Sequence, residues 1–130
     1  LTDEAIRTRA EDGNRSAAQH KSILIWQRYA EPVWNDIAQS DVLSHRVARA
    51  EADERHISPL QLTPIRRCLQ LWTNPGDVVL SPFTGIGSAG YVAIEMGRKF
   101  IGAELKPSYF RQVVDNLRLA EQNKLDVSLF

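Results

Sequence analysis

The sequence predicts an α/β fold, a mostly parallel sheet with flanking helices, and three observations predict it. From residue 56 onward the apolar residues switch between helical spacing and short continuous runs, in the order helix, strand, helix, strand, helix. The first run, Val78-Val79-Leu80, breaks at Ser81-Pro82-Phe83-Thr84 and passes through Gly85-Ile86-Gly87-Ser88 before helical spacing resumes. The second run ends at Glu104, nineteen residues past Gly85. A glycine turn after one strand and an acid after the next suit a nucleoside ligand laid across strand ends and helix starts.

Each element has its own local signal. Residues 1–21 mix both charge signs without a sustained apolar face, which predicts a short helix or a disordered lead. Residues 22–29 contain the β-favouring run Ile23-Leu24-Ile25-Trp26 and read as a possible strand, broken by Glu31-Pro32. Ala48 to Arg55 is rich in helix formers and charge and reads as a solvated helix. Thr63 is an N-cap candidate with Pro64 in the first turn, and Ile65, Cys68, Leu69 and Trp72 then mark one helix face. Asn74-Pro75-Gly76 stops that helix before the Val78–Leu80 strand. Ile86, Ala89, Ala93 and Met96 line the next helix, closed by Gly97. Phe100-Ile101-Gly102-Ala103 is the second strand. Pro107 opens a last helix carrying Phe110, Val113, Val114 and Leu117 on one face, and Leu125–Leu129 alternates as a further strand or a tail.

The chain has 130 residues, 43% hydrophobic and 25% charged, enough for one globular core but short for a nucleotide-dependent enzyme with its own substrate domain. Sixteen basic side chains balance sixteen acidic ones, so a nucleic-acid role would need a local basic surface. The one cysteine, Cys68, excludes an internal disulfide. No apolar run approaches the roughly 20 residues of a membrane span. The chain opens on Leu1 with neither an initiator methionine nor a signal-peptide pattern, which points to a piece of a longer protein.

Gly85-Ile86-Gly87-Ser88-Ala89-Gly90 matches the G-x-G-x-x-G fingerprint, and Glu104 stands where that fingerprint places its ribose-binding acid. Two details set it apart: Ser81-Pro82-Phe83-Thr84 intervenes between strand and first glycine, and only three apolar residues lead in. The glycines let backbone approach a ligand, and free N–H groups at the helix start favour an anion. That anion is a pyrophosphate in a dinucleotide enzyme, and a single carboxylate serves equally. A turn used only for packing is the remaining reading.

Val79–Ser88 followed by Gly97-Arg98-Lys99-Phe100-Ile101-Gly102-Ala103-Glu104-Leu105 resembles the cofactor-binding core of the amino-group DNA methyltransferases. Upstream, Arg55-His56-Ile57-Ser58-Pro59-Leu60-Gln61-Leu62 resembles the family segment that wraps the methionine end of the cofactor. The resemblance covers residues 53–120 and implies a partial Rossmann-like methyltransferase fold. It implies S-adenosyl-L-methionine as cofactor and the exocyclic amine of adenine (N6) or cytosine (N4) in DNA as acceptor. The order of segments is that of the permuted subgroup's C-terminal part, with a phage or prophage look, and a cytoplasmic setting in a bacterium or infected host follows. On this reading residues 1–50 are an N-terminal segment and 51–130 the cofactor-binding part.

By the resemblance, Ser81, Pro82, Phe83, Gly85, Gly87 and Ser88 wall the cofactor pocket. Glu104 takes the ribose hydroxyls, Leu105 and Pro107 lie beside the adenine, and His56, Ser58 and Pro59 approach the methionine moiety. Ser81 stands where the family has Asp, and Ser88 where Thr is common. The family's catalytic tetrapeptide, an Asp, Asn or Ser followed by two prolines and an aromatic, holds the target amine and stacks on the flipped base. The six prolines here, Pro32, Pro59, Pro64, Pro75, Pro82 and Pro107, include no adjacent pair. No catalytic residue is therefore assigned, and the chain alone is expected to be inactive. An N-terminal part, or a second copy, would supply the chemistry and cover the Val78–Leu80 strand, unless residues 22–29 do so. A nicotinamide-dependent oxidoreductase fragment and a non-catalytic remnant or partner subunit are the other readings.

The remaining candidates are weaker. His20 and His45 have no metal-ligand partners at useful spacing. Cys68 and the tryptophans Trp26, Trp34 and Trp72 read as core, with base stacking as the alternative for the indoles. Arg46, Arg49, Arg55, Arg66 and Arg67 read equally as a DNA-facing cluster or a solvated face.

Overall fold

A computed structural model describes residues 15–43 and 59–127. The elements, in order, are α1 (Arg15–Tyr29), α2 (Leu62–Trp72), β1 (Val78–Ser81), α3 (Ser88–Glu95), β2 (Lys99–Gly102) and α4 (Pro107–Val127). β1 and β2 pair in parallel with Val78 opposite Lys99 and Ser81 opposite Gly102. This is an α/β arrangement around a small two-stranded parallel sheet.

Residues 22–29 are helical, correcting the strand expected there. The β-favouring run lies inside a fifteen-residue helix whose backbone bonds are satisfied internally. Leu24 and Tyr29 supply its buried side chains, and the helix packs on α2. The closing residues also differ: 125–127 continue α4 rather than forming a strand. The helix expected at 48–55 lies outside the described residues, as do His45, Arg46, Arg49 and Arg55.

α2 starts at Leu62, so Thr63 sits inside its first turn rather than at the cap. The cap comes from across the chain: the Asp41 carboxylate accepts the Thr63 N–H at 2.8 Å and the Thr63 hydroxyl at 2.5 Å. A carboxylate there also suits the positive end of the helix dipole. The buried stripe of α2 is Leu62, Ile65 and Leu69, which form one core with Val92 and Ala93 of α3. Val79, Phe100 and Met96 pack against it. Cys68 is exposed, contrary to expectation, because it lies on the flank of that stripe, roughly a quarter-turn from its centre.

α4 packs along α3 through Val113, Asn116 and Ala120, and Phe110, expected on this face, is exposed. Gly90 permits the approach: a Cβ there would lie 2.7 Å from both Leu117 and the Phe100 ring. Trp26 and Trp72 also depart from their expected core positions, meeting edge to face while remaining half or more exposed. Trp34 is half-buried and donates its indole N–H to the Tyr29 carbonyl. Among the described residues the sheet is covered on one face only. Val79 and Phe100 face the helices, while Val78, Leu80 and Ile101 are 55%, 70% and 58% exposed. Among the described residues no helix is long and apolar enough to cross a membrane.

Candidate functional site

The parallel pairing brings the carboxyl ends of β1 and β2 side by side, where ligands bind in open α/β sheets. The ladder continues past the strands: the Ala103 N–H donates to the Ser81 carbonyl, and the Thr84 N–H to the Ala103 carbonyl, each at 3.0 Å. Between these bonds the chain turns through Pro82 and Phe83 with both side chains exposed. Thr84 then folds back, buried, with its hydroxyl donating to the Ser81 carbonyl at 3.2 Å. Gly85 and Gly87 follow at φ +60° and +94°, left-handed conformations that strongly favour glycine. Gly87 is the N-cap of α3, with no side chain capping the helix start.

Glu104 joins the two strand ends. One carboxylate oxygen accepts the Gly85 N–H at 2.8 Å, and the other accepts the Lys106 N–H at 2.9 Å. The acid nineteen residues away therefore bonds directly to the first glycine of the turn. Each of its oxygens keeps acceptor capacity for a further donor. On either side of the Thr84–Ala103 connection, Phe83 and Leu105 project 90% and 99% exposed. Pro107 opens α4 next to this acid, also exposed, while Ser81 is half-buried and Ser88 buried. Pro59 is half-buried ahead of α2; His56 and Ser58 lie outside the described residues.

Two further residues hold the turn and were not singled out by sequence. Thr84 is one. Asn116 is the other: it is buried on α4 and donates its amide to the Ile86 carbonyl at 2.7 Å, while its own oxygen accepts the Gln112 amide. Its signal is a polar residue within the apolar stripe between Val113 and Ala120. Of the arginines weighed as a DNA-facing cluster, Arg66 pairs with Glu95 at 2.8 Å, and Arg67 holds Asp36 through two nitrogens while stacking on Tyr29 and Trp34. His20 is exposed, and among the described residues no cluster of potential metal ligands exists.

The family model for the N6/N4 methyltransferases, described as DNA methylase, matches residues 2–115. The chain belongs to the N6/N4 DNA methylase family. Its relatives include the type II methyltransferase M.XycI of Xanthomonas campestris pv. cyanopsidis, 38% identical over 64 residues, which are 49% of this chain and 21% of that protein. DNA adenine methyltransferase YhdJ of Escherichia coli K12 is 39% identical over 52% of this chain and 23% of its own length. The type II methyltransferase M.Cfr9I of Citrobacter freundii is 34% identical over 56% and 24%. The chain thus spans less than a quarter of the length of these relatives. No solved structure gives a significant match. Membership of this methylase family favours the methyltransferase reading over the nicotinamide one.

Proposed function

We propose that this chain is the S-adenosyl-L-methionine-binding portion of a DNA methyltransferase acting on the exocyclic amine of adenine (N6) or cytosine (N4). The observation that carries the reading is the Glu104 carboxylate, fixed by the Gly85 and Lys106 N–H groups at the carboxyl ends of two parallel strands. The residues fit the cofactor's parts. A held carboxylate with acceptor capacity left suits two vicinal hydroxyls. Exposed Leu105 and Phe83 beside it offer apolar surface to a flat base, with Pro107 alongside. Ser81, Pro82, Gly85, Gly87 and Ser88 form the turn that would pass close to the rest of the molecule, and His56, Ser58 and Pro59 would meet its methionine end.

When bound, the cofactor supplies a methyl group made electrophilic by its sulfonium sulfur. The chain's own part is to orient that group and exclude water, which is where much of the rate of a transfer between two bound reactants originates. On this reading residues 51–130 carry the cofactor-binding part of a partial Rossmann-like domain, and residues 1–50 are a lead into it. The amine-holding tetrapeptide is absent from these 130 residues. Base recognition and amine positioning then fall to other polypeptide, an N-terminal part or a second copy.

Calorimetric titration of the chain with S-adenosylhomocysteine and, separately, with NAD tests the reading. Saturable binding of the former alone is expected. Glu104→Ala should weaken it by about tenfold to a hundredfold, the loss of a charged hydrogen-bond acceptor. Binding of NAD without S-adenosylhomocysteine would overturn the proposal, and binding of neither would favour a non-catalytic remnant.

A further inference from the structure

The cleft between α1 and α2 lies away from the glycine turn, and the cofactor reading makes no use of it. It encloses about 360 Å³, within the size range of small-ligand sites. Trp26 lines it and meets Trp72 edge to face, ring centroids 5.5 Å apart at 88°. Both indoles remain open to solvent, 50% and 70% exposed, an unusual expense of apolar surface on a protein this small. In an edge-to-face pair ring faces stay open to a further flat group. Leu71 and Met96 give the cleft apolar walls, and Gln70 and Asn74 add two side-chain amides.

Among the described residues Lys21 and Arg98 are the ionised groups of the lining, and the nearby Asp77 carboxylate is occupied in accepting the Asn74 N–H at 2.8 Å. Arg98 is committed to structure, its guanidinium donating to the Met96 and Thr73 carbonyls and the Thr73 hydroxyl. Lys21 is exposed and forms no ion pair among the described residues. An open indole face, two amides and a nearby ammonium group are the chemistry that takes a nucleobase together with its phosphate.

We propose that this cleft binds a nucleotide of single-stranded DNA, its base stacked on Trp26 and its phosphate at Lys21. Exposed tryptophans are also the chemistry of protein–protein contacts. Lys21, a lining charge with no ion pair among the described residues, favours an anionic partner that also carries a flat ring. The inference stands on its own observations and does not require Glu104 or the glycine turn.

The test titrates the whole 130-residue chain with a short oligothymidylate, following tryptophan fluorescence. Thymine is chosen because an adenine probe could enter a site built for an adenine nucleoside. Saturable quenching that weakens with added salt is expected, since phosphate contacts release counterions. Lys21→Glu, at an exposed position, should reduce affinity several-fold and lower the salt slope by about one phosphate contact. Trp72→Leu should lower the quenching amplitude. The same curve is expected in the presence of saturating S-adenosylhomocysteine. Absent quenching, quenching indifferent to Lys21→Glu or to salt, or displacement by S-adenosylhomocysteine would each overturn the proposal. Should S-adenosylhomocysteine fail to bind at all, the cofactor reading falls while the oligothymidylate curves still decide this one.

Discussion

Gly102→Ala should destabilise the protein through a collision at the foot of the candidate site. Gly102 closes β2 opposite Ser81, and an added Cβ would strike the Thr84 hydroxyl oxygen and come within 2.7 Å of the Phe100 ring. Two effects oppose each other. Alanine in place of a strand glycine stabilises by roughly 0.5–1 kcal/mol through backbone entropy. Forcing a methyl group into a filled site costs roughly 1–3 kcal/mol, and here a ring and a bonded hydroxyl must move. The collision wins by about 1–2 kcal/mol, which for a chain of this size lowers Tm by about 4–8 °C. Thermal and urea denaturation followed by circular dichroism would measure it. The cause is separable by a double-mutant cycle, because Thr84→Ala removes one of the colliding atoms. The double variant should be more stable than the sum of the singles by about 1 kcal/mol. Gly76→Ala, where a Cβ meets nothing within 4 Å and only φ +89° is strained, should be additive with Thr84→Ala. A Gly102→Ala protein as stable as the parent, or additive with Thr84→Ala, would refute the reasoning.

Other perturbations follow from the same contacts. Arg98→Ala removes the guanidinium that ties the end of α2 to the turn before β2; urea denaturation should show a loss of about 2 kcal/mol, only partly restored by Lys, which lacks the planar fork. Burial pulls the Arg98 guanidinium below its ordinary value, yet it stays charged, so this contribution should not vary across neutral pH. The side-chain hydrogen bond from Arg67 holds the Asp36 carboxyl below its ordinary range. A depressed folded-state value stabilises above the unfolded value and is lost as pH falls through the folded one, so Asp36→Asn should flatten the acid limb of a Tm-against-pH curve. Leu80→Asp, on the bare face of the sheet, should leave Tm nearly unchanged while reducing concentration-dependent association in sedimentation, because 70% of that side chain is already exposed.

The candidate site was legible because its parts are written locally. The turn at 81–88 and the acid at 104 each sit beside a short apolar run, and parallel pairing of those runs leaves little choice about where their ends meet. What joins them was only partly legible. The spacing brings Glu104 to the glycine turn but does not show that its carboxylate accepts the Gly85 N–H, and Asn116 reaches Ile86 across thirty residues and shows in the sequence only as a polar break in the α4 stripe. At α1 residue type points the wrong way, because Ile23–Trp26 favours a strand while the decision lies with Leu24 and Tyr29 packing on a helix about forty residues later. The start of α2 moved for a similar reason: its capping carboxylate belongs to Asp41, twenty-two residues before Thr63. Cys68 and Trp72 share a helix with the buried stripe, but only contact with α3 shows how narrow that stripe is.

On the proposed function, the bare face of the sheet and the amine-holding tetrapeptide absent from these 130 residues belong together. Parallel sheets are ordinarily covered on both faces, and two strands alone make a marginal sheet. Here α3 and the packing of α2 and α4 around it partly bury Val79 and Phe100, while Val78, Leu80 and Ile101 on the opposite face stay open. Among the described residues β1 also has only one strand partner, so its other edge keeps unpaired backbone groups. The glycine turn and Glu104 sit at the end of these same two strands. Any polypeptide that pairs with the free edge of β1 and covers Leu80 must therefore deliver its own strand end beside Ser81 and Phe83. On the proposed function, the surface that would complete the sheet is the surface that would bring amine-binding residues to the methyl donor.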